Sequence, residues 1–136
     1  MGWPGKEDWM LNSYKIVAFL FTTDYKRARG FYEGVLGLEF VSEDQFALVL
    51  RANENMIRVV KLASFTPIQA TVLGWQVTGI EQVVKSLVAK GVTFEKYPWV
   101  KDDSGLGIWT APGGDKVAWF KDPDGNLLSV SQHTGN

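Results

Sequence analysis

The sequence predicts an α+β chain of two βαβββ modules that form a curved mixed sheet around a central cavity, with the helices outside. Three observations predict it. A β-rich apolar run followed by a helix-spaced apolar stripe occurs twice, at 14–36 and 71–88. Each pair is followed by short strand-like pieces separated by turn residues. Two segments also echo across the halves. Leu36-Gly37-Leu38-Glu39-Phe40 matches Lys90-Gly91-Val92-Thr93-Phe94, and 55–60 matches 126–131. Such repetition is expected where one unit has an apolar sheet face that it cannot cover alone.

The elements follow in order. Residues 1–13 read as an irregular leader, broken by Gly2, Pro4 and Gly5, with Trp3 and Trp9 expected to pack back on the domain. A single domain then spans 14–133, made of modules 14–63 and 70–133. Tyr14 to Thr22 is a buried strand. Asp24 offers an N-cap, and Ala28, Phe31, Tyr32, Val35 and Leu36 recur on one helical face. Gly37 suits the left-handed residue after the helix. Gly30 and Gly34 inside it suggest close packing of helix on sheet. Strand-like pieces follow at 38–42, 46–51 and 56–62. In the second half, 71–77 is a strand, and Thr78 with Glu81 has the spacing of a capping box. Ile80, Val83, Val84, Leu87 and Val88 form the helix face. Pieces at 92–96, 107–110, 117–120 and 127–132 complete the module, the last two joined by the turn Asp122-Pro123-Asp124-Gly125-Asn126.

Composition narrows the function. The 136 residues carry 14 basic and 15 acidic side chains without a basic run, so nucleic acid is not an expected partner. There is no cysteine, which excludes disulfides, thiolate metal sites and cysteine nucleophiles. No apolar run has the roughly 20 residues of a membrane span, and the first residues lack the order of a signal peptide. A cytoplasmic location, away from membranes, is the expectation.

Asp24-x-x-Arg27-Ala28-x-x-Phe31-Tyr32, followed by Val35-Leu36-Gly37, resembles the opening helix of the vicinal oxygen chelate superfamily. That group includes glyoxalase I, extradiol dioxygenases, and fosfomycin and bleomycin resistance proteins. Phe120-Lys121-Asp122-Pro123-Asp124-Gly125-Asn126 is similar to its closing hairpin. The resemblance covers roughly 14–132 and implies a homodimer. Metal-using members carry His, Glu or Gln on the first and last strand of each module. The resemblance maps those positions onto Val17, Arg58, Val72 and Ser129. Two valines, a guanidinium and a hydroxyl do not make the donor set that divalent metals prefer. Neither a metal nor any other cofactor is therefore expected. The one histidine, His133, lies past the last strand.

With those positions pointing inward, strand alternation names the cavity face. It comprises Val17, Phe19 and Phe21; Met56, Arg58 and Val60; Val72, Gly74 and Gln76; and Leu127, Ser129 and Ser131. These side chains either line a small-molecule pocket or fill a solid core. Arg58 needs a partner if buried: Asp102 or Asp103 from the Gly- and Pro-rich loop 98–114, or the acid group of a ligand. A one-residue slip would instead turn it to water. Trp109 is the loop's candidate aromatic contact. The expected function is metal-free binding of an apolar or aromatic small molecule, with or without an acidic group. A metal-independent isomerase or lyase with Asp102, Asp103 or Glu43 as base is the alternative. An interaction module with a filled core is a third class, and a metal-dependent enzyme fits least.

Overall fold

The computed structural model describes residues 10–102 and 104–135. Trp3, Trp9 and Asp103 lie outside the described residues. A short 3-10 turn at Leu11–Ser13 precedes the first module. That module runs β1 (Val17–Thr22), α1 (Tyr25–Arg29), β2 (Glu39–Glu43), β3 (Leu48–Ala52) and β4 (Asn55–Lys61). The second runs β5 (Thr71–Gln76), α2 (Ile80–Ala89), β6 (Trp109–Thr110), β7 (Lys116–Lys121) and β8 (Leu127–Gln132). Each makes a four-stranded sheet, ordered β1-β4-β3-β2 and β5-β8-β7-β6. In both, the first strand pairs parallel with the last and the other pairings are antiparallel. The doubled α+β architecture, with helices outside the sheets, is as the sequence predicts.

Local chemistry explains most elements. Asp24 caps α1 by accepting from the amides of Lys26 (2.9 Å) and Arg27 (3.3 Å). The helix then widens to a π turn over Gly30–Val35 and stops at Gly37, whose φ is +79°. Gly30 and Gly34 do not serve close packing: a Cβ at either would meet nothing within 4 Å. The capping box expected at α2 is also absent. Gly79, in left-handed geometry, is its N-cap, and the Gln132 side chain accepts from the Ile80 amide at 2.9 Å. A residue 52 positions away thus does what Thr78 was expected to do.

The modules differ at one edge. Where β2 pairs with β3 along one strand, the corresponding slot beside β7 is shared by two fragments. Residues 92–96 contribute only a bridge between Phe94 and Phe120, with the Glu95 amide donating to the Trp119 carbonyl (2.8 Å). The two-residue β6 pairs farther along, Trp109 opposite Val117. The strand expected at 92–96 is therefore not a strand, and 98–108 loops between the fragments.

One core joins both halves. Leu20, Tyr32, Leu50 and Ile57 from the first module pack in the same cluster as Ile80, Val84, Phe120 and Leu128 from the second. Phe31 of the first helix segment reaches Phe120 across the modules, with centroids 6.4 Å apart. The 122–126 turn locks this junction. Asp122 accepts from Tyr32 Oη (2.6 Å), from Asn126 Nδ2 (2.8 Å) and from two amides of its own turn. Asn126 Nδ2 also reaches the Phe21 carbonyl (2.9 Å). Asp124 accepts from Thr22 Oγ1 (2.6 Å), Thr23 and Arg27 (2.5 Å). Burial, then the Asp122 charge and its hydrogen bond, push the Tyr32 hydroxyl far above its ordinary pKa, so it remains a donor.

Candidate functional site

Each sheet turns one face to the helices and leaves the other open. On β1, Leu20 and Thr22 are buried, whereas Val17, Phe19 and Phe21 are exposed, Phe19 at 57%. On β4, Ile57 and Val59 are buried between Met56, Arg58 and Val60. On β5, Leu73 and Trp75 face the core while Val72, Gly74 and Gln76 are exposed. The register sets these side chains in rows. Phe19 lies beside Arg58, which lies beside Val49. Gly74 lies beside Ser129, which lies beside Trp119. Arg58 is therefore on the open face, and no one-residue slip has occurred.

The ten candidate residues do not surround one enclosed space. Phe19, Phe21 and Val72 line an open hollow of about 310 Å³ at the module junction, with Phe65, Pro67 and Ile68. Val17 and Met56 line another, about 370 Å³, beside Arg51 and Glu54. Asp102 and Trp109 line a third, about 350 Å³, with Glu81, Lys101 and Lys116. Arg58, Gln76 and Ser129 lie on the sheet faces themselves.

Both open faces carry charge: Arg51 lies opposite Met56 on the first, and Lys121 lies opposite Leu127 on the second, near Glu95. Among the described residues Arg58 forms no ion pair, whereas Arg51 on the neighbouring strand is bound to Glu39. Asp44, in the turn before β3, accepts from the amides of Phe46 (2.8 Å) and Ala47 (3.0 Å). Those bonds, with a smaller contribution from Arg58, hold its carboxyl below the ordinary range. Asp102 is spent on its own loop, accepting from Ser104 and from the Gly107 amide. Slight burial opposes its ionisation, but these bonds outweigh it and lower the pKa. A carboxylate held in this way is a poor base.

Two features escaped sequence reasoning. Tyr97, Trp99, Trp109 and Trp119 form a continuous aromatic wall on the second sheet. Tyr97 stacks on Trp99 at 5.4 Å, and Trp109 on Trp119 at 6.3 Å; Trp99 meets both tryptophans edge-on. Trp119 was legible by alternation with the buried Ala118 and Phe120, but the loop path that brings up Tyr97 and Trp99 was not. The second feature is a 2.9 Å hydrogen bond between Ser131 Oγ and His133 Nε2, at the end of the same face.

No metal-ligating cluster of three His, Cys, Asp or Glu side chains occurs among the described residues. Of the four mapped ligand positions, Val17 and Val72 have no donor atom, Arg58 is a cation and Ser129 offers a neutral hydroxyl. This set does not fit a divalent metal.

The model of the Glyoxalase/Bleomycin resistance protein/Dioxygenase superfamily matches residues 15–130. Among curated proteins, none matches this chain. Among solved structures, a glyoxalase family protein from Bacillus anthracis superposes with a TM-score of 0.69 at 15% identity, covering 89% of this chain and 95% of its own. A member of the same superfamily from Sphaerobacter thermophilus gives 0.69 at 21% identity, with 88% and 97% covered. A lactoylglutathione lyase from Agrobacterium tumefaciens gives 0.67 at 16% identity, with 88% and 93% covered. At such identities the likeness is one of fold.

Proposed function

Because this chain belongs to the Glyoxalase/Bleomycin resistance protein/Dioxygenase superfamily, we propose that it is a metal-free small-molecule-binding member that takes a planar aromatic acid on its open sheet faces. The observation that carries this is Arg58. Among the described residues it stands without an ion pair beside the apolar Val17, Phe19, Phe21 and Met56, while Arg51 on the same face is bound to Glu39. A carboxylate would neutralise the guanidinium through a bidentate bond, and an attached ring would cover Phe19. The donor-poor ligand positions support the metal-free part of the proposal.

The working form is a homodimer. A single chain leaves Val17, Phe19, Phe21 and Met56 on the paired strands β1 and β4, and Val72 on β5, more than one third exposed, the kind of apolar surface that a partner covers. No helix among the described residues is long and apolar enough to cross a membrane, which is compatible with work in the cytoplasm.

The test is calorimetric titration with matched aromatic acids and amides. A charge-assisted hydrogen bond contributes roughly 1.5–3 kcal/mol, so acids should bind about tenfold or more tightly. Arg58→Met should abolish the difference and leave the fold intact. Equal binding of acid and amide by the unaltered protein would refute the anion site.

An enzymatic reading, as a metal-independent isomerase or lyase, draws on the Ser131–His133 hydrogen bond rather than on Asp102. Asp102 is committed to its loop, and Glu43 is exposed at the end of β2. Turnover lost in His133→Gln but not in Asp102→Asn would favour that reading.

A further inference from the structure

Gly74 has no backbone reason to be glycine. Its φ is not positive, and glycine inside a strand weakens it. What it provides is room: a Cβ there would lie 2.6 Å from Ser129 Oγ, the adjacent residue on β8. Ser129 is 9% exposed, and its hydroxyl makes no hydrogen bond to the described residues. It is also not among the fully enclosed unpartnered polar atoms, so it stays reachable from the open face. On its other side lies Trp119, its register partner on β7, backed by Trp109, Trp99 and Tyr97. A notch without a side chain, a free hydroxyl and an aromatic wall therefore stand in one row across three strands.

We infer that this row is a ligand subsite for a flat ring that carries a neutral hydrogen-bonding substituent, such as a phenolic hydroxyl. The ring lies against Trp119, and its substituent enters the notch over Gly74 to bond Ser129 Oγ. A planar ring fits because Trp119 offers a face for offset stacking, while the missing Cβ removes the obstacle at the ring edge. A neutral substituent fits because no cationic side chain shares the row, and Ser129 can both donate and accept. This inference rests on the proposed binding of aromatic acids. It narrows that class to aromatic acids that also carry a neutral hydrogen-bonding group.

The probes are 2-naphthoate, 6-hydroxy-2-naphthoate and 6-hydroxy-2-naphthamide, titrated calorimetrically into the full chain. The hydroxylated acid should bind about fivefold more tightly than 2-naphthoate, as one neutral hydrogen bond allows. Ser129→Ala should remove that preference. Gly74→Ala should remove it as well, by turning the Ser129 hydroxyl aside, which a small side chain can do without unfolding the sheet. The acid-over-amide preference should survive both substitutions. A hydroxyl preference that persists in both variants, or is absent from the unaltered protein, would overturn the subsite. If the hydroxyl preference is present but the amide binds as well as its acid, the Arg58 proposal fails and the subsite stands.

Discussion

The 122–126 turn and the open sheet faces treat their polar groups in opposite ways. At the turn, every carboxylate is engaged: Asp122 holds Tyr32 and Asn126, and Asp124 holds Thr22, Thr23 and Arg27. On the faces, Arg58 has no ion pair and Ser129 has no hydrogen bond among the described residues. The contrast separates groups that hold the two modules together from groups free to meet something else. Polar groups without partners are tolerable only where solvent or a ligand reaches them.

The largest effect that sharpens this contrast should come from Asp122. Asp122→Ala leaves Tyr32 Oη and the Asn126 amide buried and unpartnered. The expected loss is about 3 kcal/mol, since each orphaned buried group costs roughly 1–3 kcal/mol. Chemical denaturation should show the midpoint falling with an unchanged slope. Tyr32→Phe, which leaves Asp122 its Asn126 contacts, should cost less. If Asp122→Ala is no worse than Tyr32→Phe, the turn is not what joins the modules.

On the open face, the comparable change alters assembly rather than stability. Phe19→Asp places a charge in the middle of the exposed apolar strip. Sedimentation should then give a monomer mass at tens of micromolar, where the unaltered chain gives a dimer, and the unfolding midpoint of the monomer should change little. A monomeric unaltered chain at that concentration would refute the dimer.

Acid titration should find the turn before it finds the faces. Burial raises the Asp124 pKa, but hydrogen bonds from Thr22, Thr23 and Arg27 outweigh it, so the folded value lies below the ordinary one. Its contribution is complete above the unfolded pKa of about 3.9 and is lost as pH falls through the folded value. The melting temperature should drop over that window, and Asp124→Asn should flatten the drop. An identical acid limb in that variant would mean that other carboxylates dominate.

Much of this contrast was legible in the sequence, for reasons of period. Strand alternation grouped Val17 with Phe19 and Phe21, and Arg58 with Met56 and Val60, because the side-chain period of 2 depends only on the strand being a strand; that these groups and Val72 and Ser129 point away from the helices was implied by the family resemblance. Asp122-Pro123-Asp124-Gly125-Asn126 was legible as a turn, but not as a clamp. Its partners Thr22, Arg27 and Tyr32 lie about 100 residues away, and pairing over that distance leaves no periodic trace. The same is true of Gln132 capping α2 in place of Thr78. Gly74 was placed on the open face by alternation. Its purpose became visible only from the β5–β8 register, which sets it against Ser129.

The smallest expected effect is the most discriminating. Arg58→Met removes a charge from the middle of the open face, and substitution of a buried, paired arginine would cost 3–5 kcal/mol by stranding its partner. Here no partner is stranded: among the described residues no carboxylate lies within ion-pair distance of Arg58, and Asp44, which feels its charge, is held chiefly by its own turn amides. Methionine keeps most of the apolar stem that packs beside Phe19 and Val49. Stability should therefore change by less than about 0.5 kcal/mol, as for surface sites that lack a specific partner. The same substitution should remove the acid preference in binding, so a group nearly silent in folding would be decisive for ligand choice. A loss of several kcal/mol on unfolding would instead give Arg58 a structural partner, and would move it from the open face's free groups to the kind found at the turn.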